Sequence, residues 1–496
     1  MKTNRVIKIF LASSEELEAD RYRFGNLIRK LDNIYEKRGI RIELFEWEDY
    51  DAAYNGMRKQ DEYNERVRAS DMFLALFHKK AGKFTIEEFN IARKAFDEQA
   101  SPKIYTYIKD LEAGESESRE LAEFKRLMLE ELGHYWCRYS NFDTMQLHFV
   151  LQLQMVEATT PIKVEIKESQ VKIGDSTIAD LNNVPFTSEN TTYRELQSRK
   201  EQLDREIGNA ESGGRRGFFG QRSRTTDEEL ANLREERESV TEQIERQEKA
   251  LVDTAMSIAR MQGGECSPRM RTAAELFEKG EIGKAEAVLK EDDMEADATN
   301  AKLKFDTAAQ PTAELTRNIE RCAGEYMLKA RIVVSGIADE SRYRQAVKLM
   351  STAIDLVSGR LPEETLAEYL FDYAVLLTDT GQQTKALETW ERLSGIYERL
   401  YRKAPQKYAY GYAGVLNNMA VLYSDKGDFD HCLSKYLKAI DIYNRLDREE
   451  PGLYDDDIAR LKNNIGTLYT DRDEYNKALS EFNEAARIRL DLLAKD

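Results

Sequence analysis

The sequence predicts three parts in order: an α/β domain built on a parallel sheet, an antiparallel coiled-coil helical hairpin, and an all-α array of helical repeats. Three observations predict it. Apolar runs alternate with amphipathic stretches at the start of the chain, leucine- and isoleucine-bearing seams follow in a Glu/Arg/Lys/Gln-rich stretch, and three C-terminal segments superimpose at one spacing. The bounds read as 1–157, 158–264 and 265–496.

In the first part, Ile7 to Ala12, Arg41 to Trp47, Met72 to Phe77 and Ile104 to Ile108 read as strands, with Tyr135 to Tyr139 as a shorter fifth. Glu15 to Arg38, Gln60 to Ala69 and Thr85 to Asp97 read as helices between them. Near-continuous apolar strands separated by helices imply a parallel sheet covered on both faces. Ile9, Leu44, Leu74 and Tyr105 are expected in its core, and Thr85 is expected to cap the third helix with Glu88 in its first turn.

The second part opens with Val164 to Ile178, where Gly174-Asp175 suggests a hairpin. Tyr193, Leu196, Leu203 and Ile207 then form one seam, and Leu230, Leu233, Val240, Ile244, Leu251, Ala255 and Ile258 form another. Steps of three, four and seven are coiled-coil patterning. Between the seams, Gly213, Gly214, Gly217 and Gly220 break any helix. The Arg- and Phe-bearing loop 213–224 reads as a solvated hairpin tip.

In the third part, Leu377, Gly381, Ala386 and Trp390 match Tyr423, Gly427, Cys432 and Tyr436, and then Tyr469, Asp473, Ala478 and Phe482. Corresponding positions differ by 423 − 377 = 46 and 469 − 423 = 46 residues. A large residue closes one helix, Gly or Asp ends it, and a small residue lets the next helix pack closely. This pattern resembles the tetratricopeptide repeat in an extended form, and weaker copies stand at Tyr343 to Ala353 and Leu276 to Leu289. The resemblance implies a surface for a protein or peptide partner, or for another copy of the chain.

Composition narrows the classes further. With 41% hydrophobic residues, 33% charged residues and a formal charge of −17, the chain is a poor candidate for nonspecific nucleic-acid binding. No apolar run approaches a membrane span, so a cytoplasmic, non-membrane protein is expected. Cys137, Cys266, Cys322 and Cys432 show neither disulfide-framework nor metal-ligand spacing, and His78, His134, His148 and His431 are scattered. A structural zinc site is not expected on those grounds, and no metal or bound cofactor is expected.

Open parallel sheets gather ligands beyond the C-terminal ends of their strands. The residues there are Ser13-Ser14 after the first strand, Trp47 at the end of the second, and His78 to Lys83 after the third, followed by Glu87-Glu88-Phe89. The segments Ile7 to Ser14, Asn64 to Asp71 and Gly82 to Phe89 resemble a Toll/interleukin-1 receptor (TIR)-type domain of the DUF4062 branch. That resemblance covers about 155 residues. It implies a flavodoxin-like, TIR-type sheet, and places this chain beside nucleoside 2-deoxyribosyltransferases and NAD-cleaving enzymes, in which a glutamate acts on the ribose. Carried onto this sequence, Glu88 is the implied catalytic residue, with Glu87 as the neighbouring alternative. Ser13 and Ser14 can hydrogen-bond a ribose or phosphate, Trp47 can stack on a base, and Lys80 and Lys83 can offset a diphosphate. This sequence lacks the Trp-Cys pair that precedes the glutamate in well-known NAD-cleaving TIR domains.

The functional expectation is a defence-type signalling effector. Its first domain cleaves NAD or a related nucleotide at the N-glycosidic bond when the repeats cluster it into a homo-oligomer. The alternative is a non-catalytic scaffold.

Overall fold

The computed structural model describes residues 5–36, 39–46, 59–131, 136–156, 164–212, 227–261, 266–336, 339–449, 452 and 454–493. The chain divides into two compact units. One comprises Met1–Gln154, Ile162–Cys266 and Ala274–Lys284, the other Met155–Pro161, Ser267–Ala273 and Ala285–Asp496.

In the first unit, β1 (Arg5–Ser13), α1 (Glu18–Glu36), β2 (Ile40–Phe45), α2 (Lys59–Arg68), β3 (Met72–Phe77), α3 (Lys83–Gln99), β4 (Lys103–Lys109), α4 (Arg119–Arg126), β5 (Trp136–Tyr139) and α5 (Phe142–Val156) follow in turn. The five strands form one sheet in the order β2-β1-β3-β4-β5, and all four pairings are parallel. Every residue of β3 is buried, as its unbroken apolar run requires of a central strand. Ile9 and Leu74 are core residues as expected, whereas Leu44 and Tyr105 are only partly buried. Leu44 lies on the edge strand β2, which has a neighbour on one side alone.

One helix register differs from expectation. α3 begins at Lys83, capped by the extended backbone of Gly82, and Thr85 is a buried residue inside the first turn. Glu88 therefore sits in the second turn. The Ile86 amide donates to the Gly82 carbonyl at 3.0 Å, so the helix winds from Gly82 without a side-chain cap.

A small antiparallel sheet follows: β6 (Val164–Lys167), β7 (Gln170–Ile173) and β8 (Ser176–Asp180). The β7–β8 hairpin turns at Gly174-Asp175 as the sequence indicates. The β6–β7 hairpin is additional, and turns at Glu168-Ser169 with φ of 53° and 57°. Short α6 (Pro185–Ser188) leads to α7 (Thr191–Ser212) and α8 (Asp227–Met261), which pack as the expected hairpin. Tyr193, Leu203, Val240 and Ile244 form its buried seam, with Leu196 and Leu233 packed against it. Burial of each such side chain is worth about 1.5–3 kcal/mol. Arg199–Glu236 and Arg237–Asp204 also cross the hairpin, but exposed ion pairs contribute only about 0–1 kcal/mol each. The seam therefore decides the pairing. The loop 213–224 lies outside the described residues.

The remaining helices are α9 (Pro268–Glu278), α10 (Ile282–Val288), α11 (Glu291–Thr307), α12 (Ala313–Ser335), α13 (Glu340–Val357), α14 (Glu363–Asp379), α15 (Gln383–Lys403), α16 (Pro405–Asp425), α17 (Phe429–Glu449), α18 (Asp455–Thr470) and α19 (Tyr475–Leu493). From α11 onward each packs on the next, a tetratricopeptide-like helical solenoid. Its register is that of the sequence: Ala386 and Cys432 are fully buried and Ala478 nearly so. Gly381, Gly427 and Asp473 all take positive φ, at 69°, 72° and 60°. Each is followed by a 6→1 backbone bond, Gln382 to Leu377, Asp428 to Tyr423 and Glu474 to Tyr469, at 2.8–2.9 Å. That is the Schellman closure of a helix. Gly280, with φ 77°, repeats it through Glu281 to Leu276 at 2.9 Å.

Candidate functional site

In a doubly wound sheet of this order the strand order reverses between β1 and β3, and ligands enter the crevice outside the carboxyl ends of those strands. β1 ends at Ser13 and runs into Ser14, while β3 runs into His78, Lys79 and Lys80. The two loops are joined through Glu16. One oxygen of its carboxylate accepts from the backbone amides of Lys79 and Lys80 at 3.0 and 3.3 Å, and from the Ser14 hydroxyl at 3.3 Å. Two convergent amides and a hydroxyl around one anionic oxygen are the donor set that a phosphate oxygen takes.

Charged groups from α1 fold back over the same strand ends. Arg21 is buried, and its guanidinium donates to Ser13 Oγ at 2.8 Å and to the Ser14 carbonyl at 2.9 Å. Asp20, also buried, accepts from Lys109 Nζ at 2.9 Å and from the Tyr139 hydroxyl at 3.0 Å, at the ends of β4 and β5. Enclosure and the Asp20 charge push the Tyr139 phenol well above its usual range. On the third loop, Glu115 accepts from Lys79 and lies 3.2 Å from His78 Nε2. Its bond to Lys79 holds its carboxyl below the usual range and raises the Lys79 ammonium.

Ser13, Ser14 and Lys80 are thus brought together, with Lys80 joining by its backbone while its side chain stays exposed. Lys83 is exposed at the start of α3. Glu88 is 8% exposed, on a buried stripe with Thr85, Phe89, Ala92 and Ala95. The neighbouring Glu87 accepts from Asn64 of α2 at 3.3 Å. Trp47 lies outside the described residues. The strand-end groups Glu16, Asp20, Arg21, Lys109, Glu115 and Tyr139 carry no sequence signature. Asp20 and Arg21 look like ordinary first-turn residues of α1 until the fold turns them inward.

A second cluster lies within the same unit, and it was not foreseen from residue spacing. Cys137 of β5, His148 of α5 and Glu278 of α9 place potential ligand atoms within 4.8 Å of one another. Cys137 Sγ is 3.9 Å from Glu278 Oε1, and the Tyr107 hydroxyl is 3.1 Å from His148 Nδ1. Burial pushes the Glu278 carboxyl up to about 8 and the Tyr107 phenol well above its usual range. The expectation that no residues are arranged for a metal rested on linear spacing. The fold assembles this group from positions far apart in the chain.

No protein-family model matches the chain, and no curated protein sequence matches it. Among solved structures, it is similar to BtubC from P. vanneervenii, at 16% identity and TM-score 0.32 over 60% of this chain and 92% of that one. The apo form of RapI gives 16% identity and TM-score 0.33 over 59% of this chain and 65% of that one. A signal-transduction ATPase from Pyrococcus horikoshii with a tetratricopeptide repeat sensor gives 11% identity and TM-score 0.24 over 100% and 91%. Likenesses this distant carry no functional argument; the repeat architecture rests on this chain's own 46-residue register and its left-handed helix ends.

Proposed function

We propose that this chain is a two-part signalling protein, with an α/β domain that takes a phosphate-bearing nucleotide at the β1–β3 crevice and a repeat array that holds a protein or peptide partner. The observation that carries the reading is the convergence of the Ser14 hydroxyl and the Lys79 and Lys80 amides on one carboxylate oxygen of Glu16. A nucleotide phosphate competes with the Glu16 carboxylate for those donors. The TIR-type resemblance supplies the finer reading. NAD or a related nucleotide is the substrate, and Glu88 stabilises the cationic ribosyl transition state as the N-glycosidic bond breaks. Glu88 lies on the buried stripe of α3, so catalysis on this reading requires local opening of that helix face.

The test is incubation of the purified chain with NAD, free and artificially clustered, with nicotinamide release as the readout. Glu88→Gln should keep the fold and slow release roughly 100-fold or more. Glu16→Ala should tighten binding of ADP-ribose, since it removes the competing carboxylate. Unchanged release in Glu88→Gln overturns the catalytic assignment, and unchanged binding in Glu16→Ala overturns the crevice. One observation favours a second reading, a non-catalytic scaffold: Arg21, Glu16 and Asp20 are already paired within the domain. A wild-type chain that stays inert when clustered selects that reading.

A further inference from the structure

The geometry points to a transition-metal site, best suited to Zn²⁺, formed by Cys137, His148 and Glu278. This is independent of the nucleotide reading. A soft thiolate, a borderline imidazole and a hard carboxylate form a mixed donor set that zinc takes, and the thiolate and imidazole select against magnesium and calcium. The three ligand atoms lie within 4.8 Å of one another, and the sulfur-to-oxygen distance is 3.9 Å. With metal–ligand bonds of about 2.0–2.3 Å, tetrahedral coordination asks neighbouring donor atoms to lie roughly 3–4 Å apart. Closing the widest separation from 4.8 Å to that range takes a relative shift of about 1–2 Å, shared between the side chains.

Its supporting structure is already in place. Tyr107 and Cys137 are register partners on adjacent strands β4 and β5, so they project from the same face of the sheet. The Tyr107 hydroxyl is bonded to His148 Nδ1, and its ring meets the imidazole edge-on at 5.5 Å. Hydrogen bonds of this kind, which fix the ring of a ligating histidine, accompany most protein metal sites. The three residues line a cavity of about 30 Å³ with Arg138, Thr144, Leu147 and Ala255, enough for one ion or one water, and the Arg138 guanidinium is paired with Asp110 at 2.8 Å. Mostly apolar walls strengthen coordination by excluding competing water. Three protein ligands leave a fourth position for water or a substrate atom. Because Glu278 ends α9, the ion ties that helix end to β5 and α5 within the first unit.

The full-length chain is stripped with a chelator and titrated with Co²⁺, whose thiolate charge-transfer band reports a cysteine ligand; Zn²⁺ is then used to displace it. One equivalent per chain, a thiolate band abolished by zinc, and a rise in Tm with zinc are expected. Cys137→Ser should abolish the band, His148→Gln and Glu278→Gln should lose most of the affinity, and Tyr107→Phe should weaken it about 10–100-fold. Cys266→Ser should leave it unchanged. Wild-type protein that gives no thiolate band overturns the proposal without recourse to any variant. So does a band that survives in Cys137→Ser or disappears in Cys266→Ser.

Discussion

Asp473 holds φ 60° where Gly381 and Gly427 hold 69° and 72°, and only residues that tolerate the left-handed region can stand at these helix ends. Gly427→Ala should therefore cost about 1–2 kcal/mol, and Asp473→Asn should be nearly neutral, both by denaturant titration. Glu248 is a different kind of residue. It lies buried in the hairpin and accepts from the Tyr193 hydroxyl at 2.7 Å, and burial raises its carboxyl above the usual range. The folded state then holds a proton that the unfolded state has released. Stability is full below the ordinary carboxylate range and falls as pH rises through the raised folded value. Glu248→Gln keeps an acceptor for Tyr193 and should flatten this slope, so that the variant matches or exceeds the wild type at pH 7. An unchanged slope would assign the pH dependence to other groups.

Elements in this chain are decided by competition between propensity and packing. Gly466 sits inside α18, where Ala would gain about 1 kcal/mol of helix propensity. A Cβ there would meet the Phe482 ring of α19 at 2.6–2.9 Å, and overpacking of that kind costs about 1–3 kcal/mol. Packing should win, and Gly466→Ala should lower Tm. Ala478→Trp, at the small position of the same pair, should cost about as much or more. Elements with a strong period were legible: the seam of α7 and α8, the strands β1 to β5, and the repeat register. Those set by turn chemistry were less so. The β6–β7 turn uses Glu168-Ser169 at positive φ without the Asn-Gly or Asp-Gly signal of such turns, so β6 was not separable from β7. α3 starts two residues before Thr85 because Gly82 caps it by backbone alone, and a hydroxyl inside a first turn looks in sequence like a cap.

At the scale of the whole molecule, two compact units predict two unfolding transitions in calorimetry. Zinc should raise only the one belonging to the α/β unit, since its three ligands all lie there. A single transition shifted as a whole would show the units to be one cooperative body.

The sequence alone determined whatever has a local period. Alternating apolar runs specified a parallel sheet, heptad-like steps specified a hairpin, and a 46-residue repeat specified a solenoid, because the side chains that must share a face recur at fixed intervals. It also marked Ser13, Ser14 and Lys80 as strand-end residues. Tertiary structure alone decided which distant groups meet: Arg21 on Ser13, Asp20 between Lys109 and Tyr139, and Cys137 with Glu278, 141 residues apart. Such meetings leave no trace in spacing, since they depend on how strands are ordered in the sheet and where a helix end docks, and neither is a property of any local window of sequence.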